Sequence, residues 1–203
     1  MRTLAIESAT EACSVALFDD GQRLAGQMEV IGRGHAERLV PMIAELPGKG
    51  RADRVVVSLG PGSFTGVRIG LAAARALGLA WNVPVLGYPT LALVAAMARG
   101  DTAQAVTVCM TGGHGEWFVQ HFGADGLPET DLASAPPALA EARHGLIAGS
   151  QAEALVARAG HGRALNLLPD ANHFALIDPA LVGTSLAPLY GRPPDARLPG
   201  TAA

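Results

Sequence analysis

Apolar positions along the chain first recur at strand spacing and then at helix spacing. Arg2–Ile6 and Ala12–Phe18 are short apolar runs. Asp20-Gly21 follows the second, a pair suited to the positive φ angles of a tight hairpin turn, and Gln22–Val30 continues as a third strand. The chain therefore opens as a three-stranded meander. In His35–Leu46 the residues Leu39, Met42, Ile43 and Leu46 recur at three- and four-residue intervals and predict one apolar helix face. Pro41 lies inside that pattern and either kinks the helix or marks its effective start. Arg54–Leu59 reads as a buried strand that runs into Gly60-Pro-Gly-Ser-Phe-Thr-Gly66, followed by a long helix to about Trp81. A strand at Val83–Gly87 and a helix at Thr90–Ala98 complete a βββαβαβα unit.

Gly100–Gln104 reads as a linker. Beyond it, Ala105–Met110, Glu116–Phe122 and Leu146–Ala148 are predicted strands, and Ala138–Arg143 and Gln151–Ala159 predicted helices. This weaker echo of the first half predicts two related subdomains, residues 1–99 and a smaller α/β unit at 105–203. The tail after Ala187, with Pro188, Pro193, Pro194 and Pro199, is expected to be an extended return segment.

Composition narrows the function classes. Hydrophobic residues make up 49% of the 203 positions and charged ones only 16%, which excludes intrinsic disorder. Cys13 and Cys109 are too few for a disulfide-stapled scaffold in a chain of this length. The net charge of -3 argues against a dedicated nucleic-acid clamp. The longest apolar stretch, Ile69–Trp81, is broken by Arg75, and Glu7 interrupts the first apolar run, so neither a membrane span nor a signal peptide is expected. A reduced, cytoplasmic setting follows as the expectation.

The glycine-rich turn before the long helix suggests an anion site, because a helix start presents free backbone amides. It does not have the specific spacings. Val67-Arg68 stand where a P-loop needs Lys-Ser/Thr, and Thr65 stands where a dinucleotide fingerprint needs glycine. Ser63 is not in a nucleophile elbow, the six histidines form no zinc spacing, and Cys13 reads as a core thiol. No catalytic, cofactor-binding or metal residue is therefore assigned. The helix itself is more informative: Gly66, Gly70, Ala74 and Gly78 fall at four-residue intervals and leave one face almost without side chains. Glycine inside a helix costs about 1 kcal/mol relative to alanine, so close approach of another element must compensate. That element is either the chain's own sheet or a helix of a second chain.

Three runs carry a resemblance. Leu4-Ala-Ile-Glu-Ser-Ala-Thr-Glu-Ala-Cys-Ser-Val-Ala-Leu17, His35-Ala-Glu-Arg-Leu-Val-Pro-Met-Ile43 and Gly60-Pro-Gly-Ser-Phe-Thr-Gly-Val-Arg-Ile-Gly70 closely resemble the TsaB (YeaZ) family, and the tail Pro188-Leu-Tyr-Gly-Arg-Pro-Pro-Asp-Ala-Arg-Leu-Pro199 resembles its C-terminal motif. The resemblance implies an actin/Hsp70/sugar-kinase (ASKHA) fold of two ribonuclease-H-like subdomains, the second reduced here. It also implies a non-catalytic, cofactor-free subunit that pairs with TsaD, joined by the ATPase TsaE, in forming N6-threonylcarbamoyladenosine in tRNAs that read codons beginning with A. Contact with tRNA would come only through the complex, and the isolated chain could form a homodimer. Pairing in the family runs through the N-terminal helices, which places the expected partner interface at His35, Leu39, Met42, Ile43, Gly66, Gly70, Ala74 and Gly78.

Two departures bear on function. Glu7 replaces the family's usual Asp, and Thr111-Gly-Gly-His-Gly-Glu116 replaces Asp-Ala-Arg-x-Gly-Glu. The competing reading is an ATP-dependent kinase or a glycoprotease-like enzyme of the same fold. The longer acid at position 7, the lack of a histidine pair and the small second lobe weigh against it.

Overall fold

The computed structural model describes residues 1–191. The meander forms as predicted: β1 (Arg2–Glu7), β2 (Ala12–Asp19) and β3 (Gln22–Val30) are antiparallel neighbours. Asp20 and Gly21 turn the hairpin with φ of 45° and 82°, the left-handed pair that matches strand twist. Then follow α1 (His35–Glu45), β4 (Arg54–Ser58), α2 (Phe64–Trp81), β5 (Val85–Tyr88) and α3 (Thr90–Arg99). The sheet order is β3-β2-β1-β4-β5, with β4 parallel to both β1 and β5. Helix α1 runs unbroken through Pro41, which lies on its exposed side; there the Glu37 carbonyl that proline leaves unbonded can be satisfied by water.

Side chains on β1, β2 and β4 alternate between two cores, as strand geometry requires. Leu4, Ile6, Val15, Leu17, Val55 and Val57 pack under α1 and α2. Ala5, Ala16, Phe18 and Val56 face the other way, onto Tyr88, Leu93 and Phe174. Helix α3 is apolar on nearly its whole circumference because it is covered on both sides. Leu93 and Ala96 join the first sheet's core, while Leu91, Val94 and Ala98 join the core of the second.

The second sheet is built from β6 (Val106–Thr111), β7 (Trp117–Phe122), β8 (Ala133–Ala135), β9 (Leu146–Ala148) and β10 (Arg163–Leu165), in the order β10-β9-β6-β7-β8. Counted from its own first strand, this is the topology of the first sheet: a meander, with the two later strands added in parallel beyond strand one. Two ribonuclease-H-like subdomains of ASKHA type are thus present, the second with shorter strands and, among the described residues, one α-helix, α4 (Ala152–Ala159). The helix expected at Ala138–Arg143 is instead a single 3-10 turn at Pro137–Leu139. Leu139 is 70% exposed, and only the small side chains of Ala140 and Ala142 turn into the core, too little apolar area to repay helix nucleation in so short a segment. The three-residue strands β8 and β10 fall outside the sequence reading, because Ala133–Ala135 and Arg163–Leu165 lack the unbroken apolar run that marks β9 at Leu146–Ala148.

The chain then returns to the first sheet. Phe174, in a 3-10 segment at Ala171–Leu176, packs edge-on to Phe18 and against Tyr88 with centroids 6.1 and 5.4 Å apart. Gly87 and Gly183 exchange backbone hydrogen bonds, and Leu189 N–H donates to the Leu59 carbonyl at 2.7 Å. Of the tail prolines, Pro188 lies on this segment; Pro193, Pro194 and Pro199 lie outside the described residues. Among the described residues, no helix is long and apolar enough to cross a membrane.

Candidate functional site: a two-helix face and the cleft beside it

The bare strip of α2 has its partner inside the chain. A Cβ on Gly66 would collide with the Ser8 carbonyl, one on Gly70 with the Ser8 hydroxyl, and one on Gly78 with Val85. Ala74 is fully buried. Ser8 Oγ donates to the Gly66 carbonyl at 3.0 Å, and Ser63 caps the helix by accepting from Gly66 N–H at 3.2 Å. On α1, Leu39, Met42 and Ile43 are buried in the same core, and His35 is buried with Nε2 3.3 Å from the Ala12 carbonyl. All eight residues expected at a partner interface therefore face the chain's own sheet. Small residues let α2 sit close to β1 and β4, and that close approach offsets their helix cost.

The outward faces of the same two helices are exposed among the described residues. Helices α1 and α2 lie side by side over one face of the sheet. They expose Ala36, Val40 and Ala44 on one, and Ala72, Ala76 and Leu79 on the other. Val40 is 58% and Leu79 86% exposed. Arg38 fixes α1 to β3 by bonding Glu29 through Nε (2.9 Å) and Nη2 (2.6 Å) and Glu45 through Nη1 (2.9 Å). That arginine holds both carboxyls below their usual range. Being largely exposed, these pairs orient the helix more than they stabilise it.

Glu7 ends β1, and its carboxyl is turned back into the protein. It is fully buried, with Oε1 accepting from Ala9 N–H at 2.8 Å and Oε2 3.4 Å from Thr90 Oγ1. Burial pushes its pKa up to about 7, against the lowering effect of those donors and of Ser58 beside it. Tyr88 donates to the Ile6 carbonyl at 2.9 Å, and burial raises its pKa as well.

A cleft of about 650 Å³ opens between the two sheets. Ala9–Glu11 and Pro61–Phe64 form one wall, and Met110–His114 with Phe118 the other. The return segment brings Tyr190 to the cleft, where its ring lies 5.7 Å from Phe64 and its hydroxyl oxygen accepts from Arg68. His114, at φ 58°, turns the loop between β6 and β7 along this wall. Sequence reasoning assigned none of these cleft residues. Arg68 lay within a recognised motif, but nothing in the pattern linked it to Tyr190 across 122 positions.

Residues 28–161 match the family model for TsaD, tRNA N6-adenosine threonylcarbamoyltransferase. The chain is 38% identical over 131 residues to the tRNA threonylcarbamoyladenosine biosynthesis protein TsaB of Escherichia coli K12, covering 62% of this chain and 56% of that one. With the Haemophilus influenzae protein of the same name it shares 38% over 100 residues, 47% of this chain and 42% of that one. The chain thus spans about half the length of the curated relatives it matches. A Pseudomonas aeruginosa protein described as similar to peptidase YEAZ superposes with a TM-score of 0.75 at 31% identity, covering 86% of this chain and 89% of that one. YeaZ from the same organism gives 0.72 at 30%, with 86% and 88% covered. With its fold, its motif order and these relatives in agreement, the chain belongs to the TsaB/YeaZ family.

Proposed function

We propose that this protein takes part in forming N6-threonylcarbamoyladenosine on tRNAs that read codons beginning with A, as a non-catalytic subunit that pairs with TsaD and is joined by TsaE. The observation that carries the reading is the exposed face of α1 and α2, where alanines alternate with Val40 and Leu79 on a sheet-backed, rigid pair of helices. Small residues at four-residue spacing allow a facing helix to come close, and the two larger side chains supply the apolar area. Residues 1–99 are the partner-binding unit in this reading and 105–203 the smaller unit, working in the cytoplasm. A catalytic role is disfavoured by Glu7, whose carboxyl is sealed from the cleft and occupied by the chain's own donors.

Replacing Val40 and Leu79 together by glutamate tests the pairing. The double variant should melt as the parent does and no longer co-elute with TsaD on size exclusion. Co-elution at parental strength would place the contact elsewhere.

A further inference from the structure

We infer that the cleft between the two sheets binds a small organic anion, a carboxylate or phosphate monoester on a flat or aliphatic body, anchored by Arg68. Arg68 is prepared for such a ligand before any arrives. Its guanidinium carbon stands 3.5 Å over the centroid of Phe64, and its Nε and Nη2 donate to the Tyr190 hydroxyl at 3.4 and 3.2 Å. Stacking and this one-sided bond hold the planar fork in place, and the Nη1 side has no hydrogen-bond partner among the described residues. No carboxylate among them lies within ion-pairing distance of Arg68, whereas Arg38 is matched by two. A guanidinium so held loses little freedom on binding, and its fork fits a carboxylate or phosphate.

The rest of the cleft suits an organic body. Its walls include Pro61, Met110 and Phe118 beside Phe64 and Tyr190, the mostly apolar surface with few polar anchors that small-molecule sites present. His114 lines the same cavity from the opposite sheet and offers a second donor. The return segment is part of the site, since the bond from Leu189 to Leu59 seats Tyr190. The inference is independent of the proposed pairing with TsaD, whose surface is the outward helix face.

Titration of the full chain with phenyl phosphate, benzoate, benzyl alcohol and inorganic phosphate tests this, read by calorimetry and by the methyl resonance of Met110. Phenyl phosphate or benzoate should bind saturably and shift Met110, the stronger of the two naming the oxyanion. Benzyl alcohol and inorganic phosphate should each bind at least about tenfold more weakly. Arg68→Gln should melt normally and lose about tenfold in affinity for the anion, and Tyr190→Phe, which frees the fork, should lose less. The inference is overturned by the absence of saturable binding, by an unmoved Met110, by equal binding of benzyl alcohol or inorganic phosphate, or by anion binding that Arg68→Gln leaves unchanged.

Discussion

The Ser8 hydroxyl donates to the Gly66 carbonyl at 3.0 Å, and the same oxygen fills the place where a Gly70 side chain would stand. One buried serine at the end of β1 thus fixes how closely α2 approaches the sheet. Substitution at Gly70 should therefore act on the isolated chain. Gly70→Ala forces Ser8 or Val57 to move and should cost about 1–3 kcal/mol, and Gly70→Leu should prevent folding. Calorimetric melting of the purified variants checks both. A Gly70→Leu chain that melts like the parent would mean the strip is not packed internally.

Glu7 makes stability depend on pH. Its pKa rises from 4.5 in a free carboxyl to about 7 in the fold, so between these values the native state holds more protons than the unfolded chain. Stability from this group is then full below about pH 4.5 and is lost as pH rises through 7. The loss is at most roughly 3 kcal/mol. Glu7→Gln keeps the acceptor for Ala9 N–H without the titrating carboxyl. It should flatten the profile, melting above the parent at pH 8 and near it at pH 5.

The first subdomain was legible because its elements are long and its periods clean: β3 and the start of α1 fall where the alternation and the Leu39/Met42/Ile43 spacing put them. Glycine spacing located a close contact on α2 but not its partner, since a strip without side chains serves a sheet and a foreign helix equally well. The outward strip was hidden for the opposite reason: Ala72 and Ala76 look like ordinary helix formers, and only burial distinguishes them from Ala74. In the second subdomain Leu146–Ala148 was legible as an apolar run, whereas Ala133–Ala135 and Arg163–Leu165, with a serine and an arginine among their three residues, carry too little pattern to read. The cleft depends on a chain reversal that brings Tyr190 to Arg68, a contact no local signal announces.

Both thiols should be inert in the native protein. Burial raises Cys13 to about 11 and Cys109 to about 12, leaving almost no thiolate at neutral pH. A disulfide exchange reagent at pH 7.5 should label neither until denaturant is added, when two equivalents should react. Fast labelling of the folded chain would contradict this placement of β2 and β6.

The central proposal is that the protein is a required but chemically silent partner in tRNA threonylcarbamoylation. The most direct test combines TsaD, TsaE, threonylcarbamoyl-adenylate and tRNA, with or without this chain, and measures the modified adenosine by mass spectrometry. The account predicts modification only when the chain is present, and unchanged modification with Glu7→Gln. Undiminished modification in its absence would contradict it.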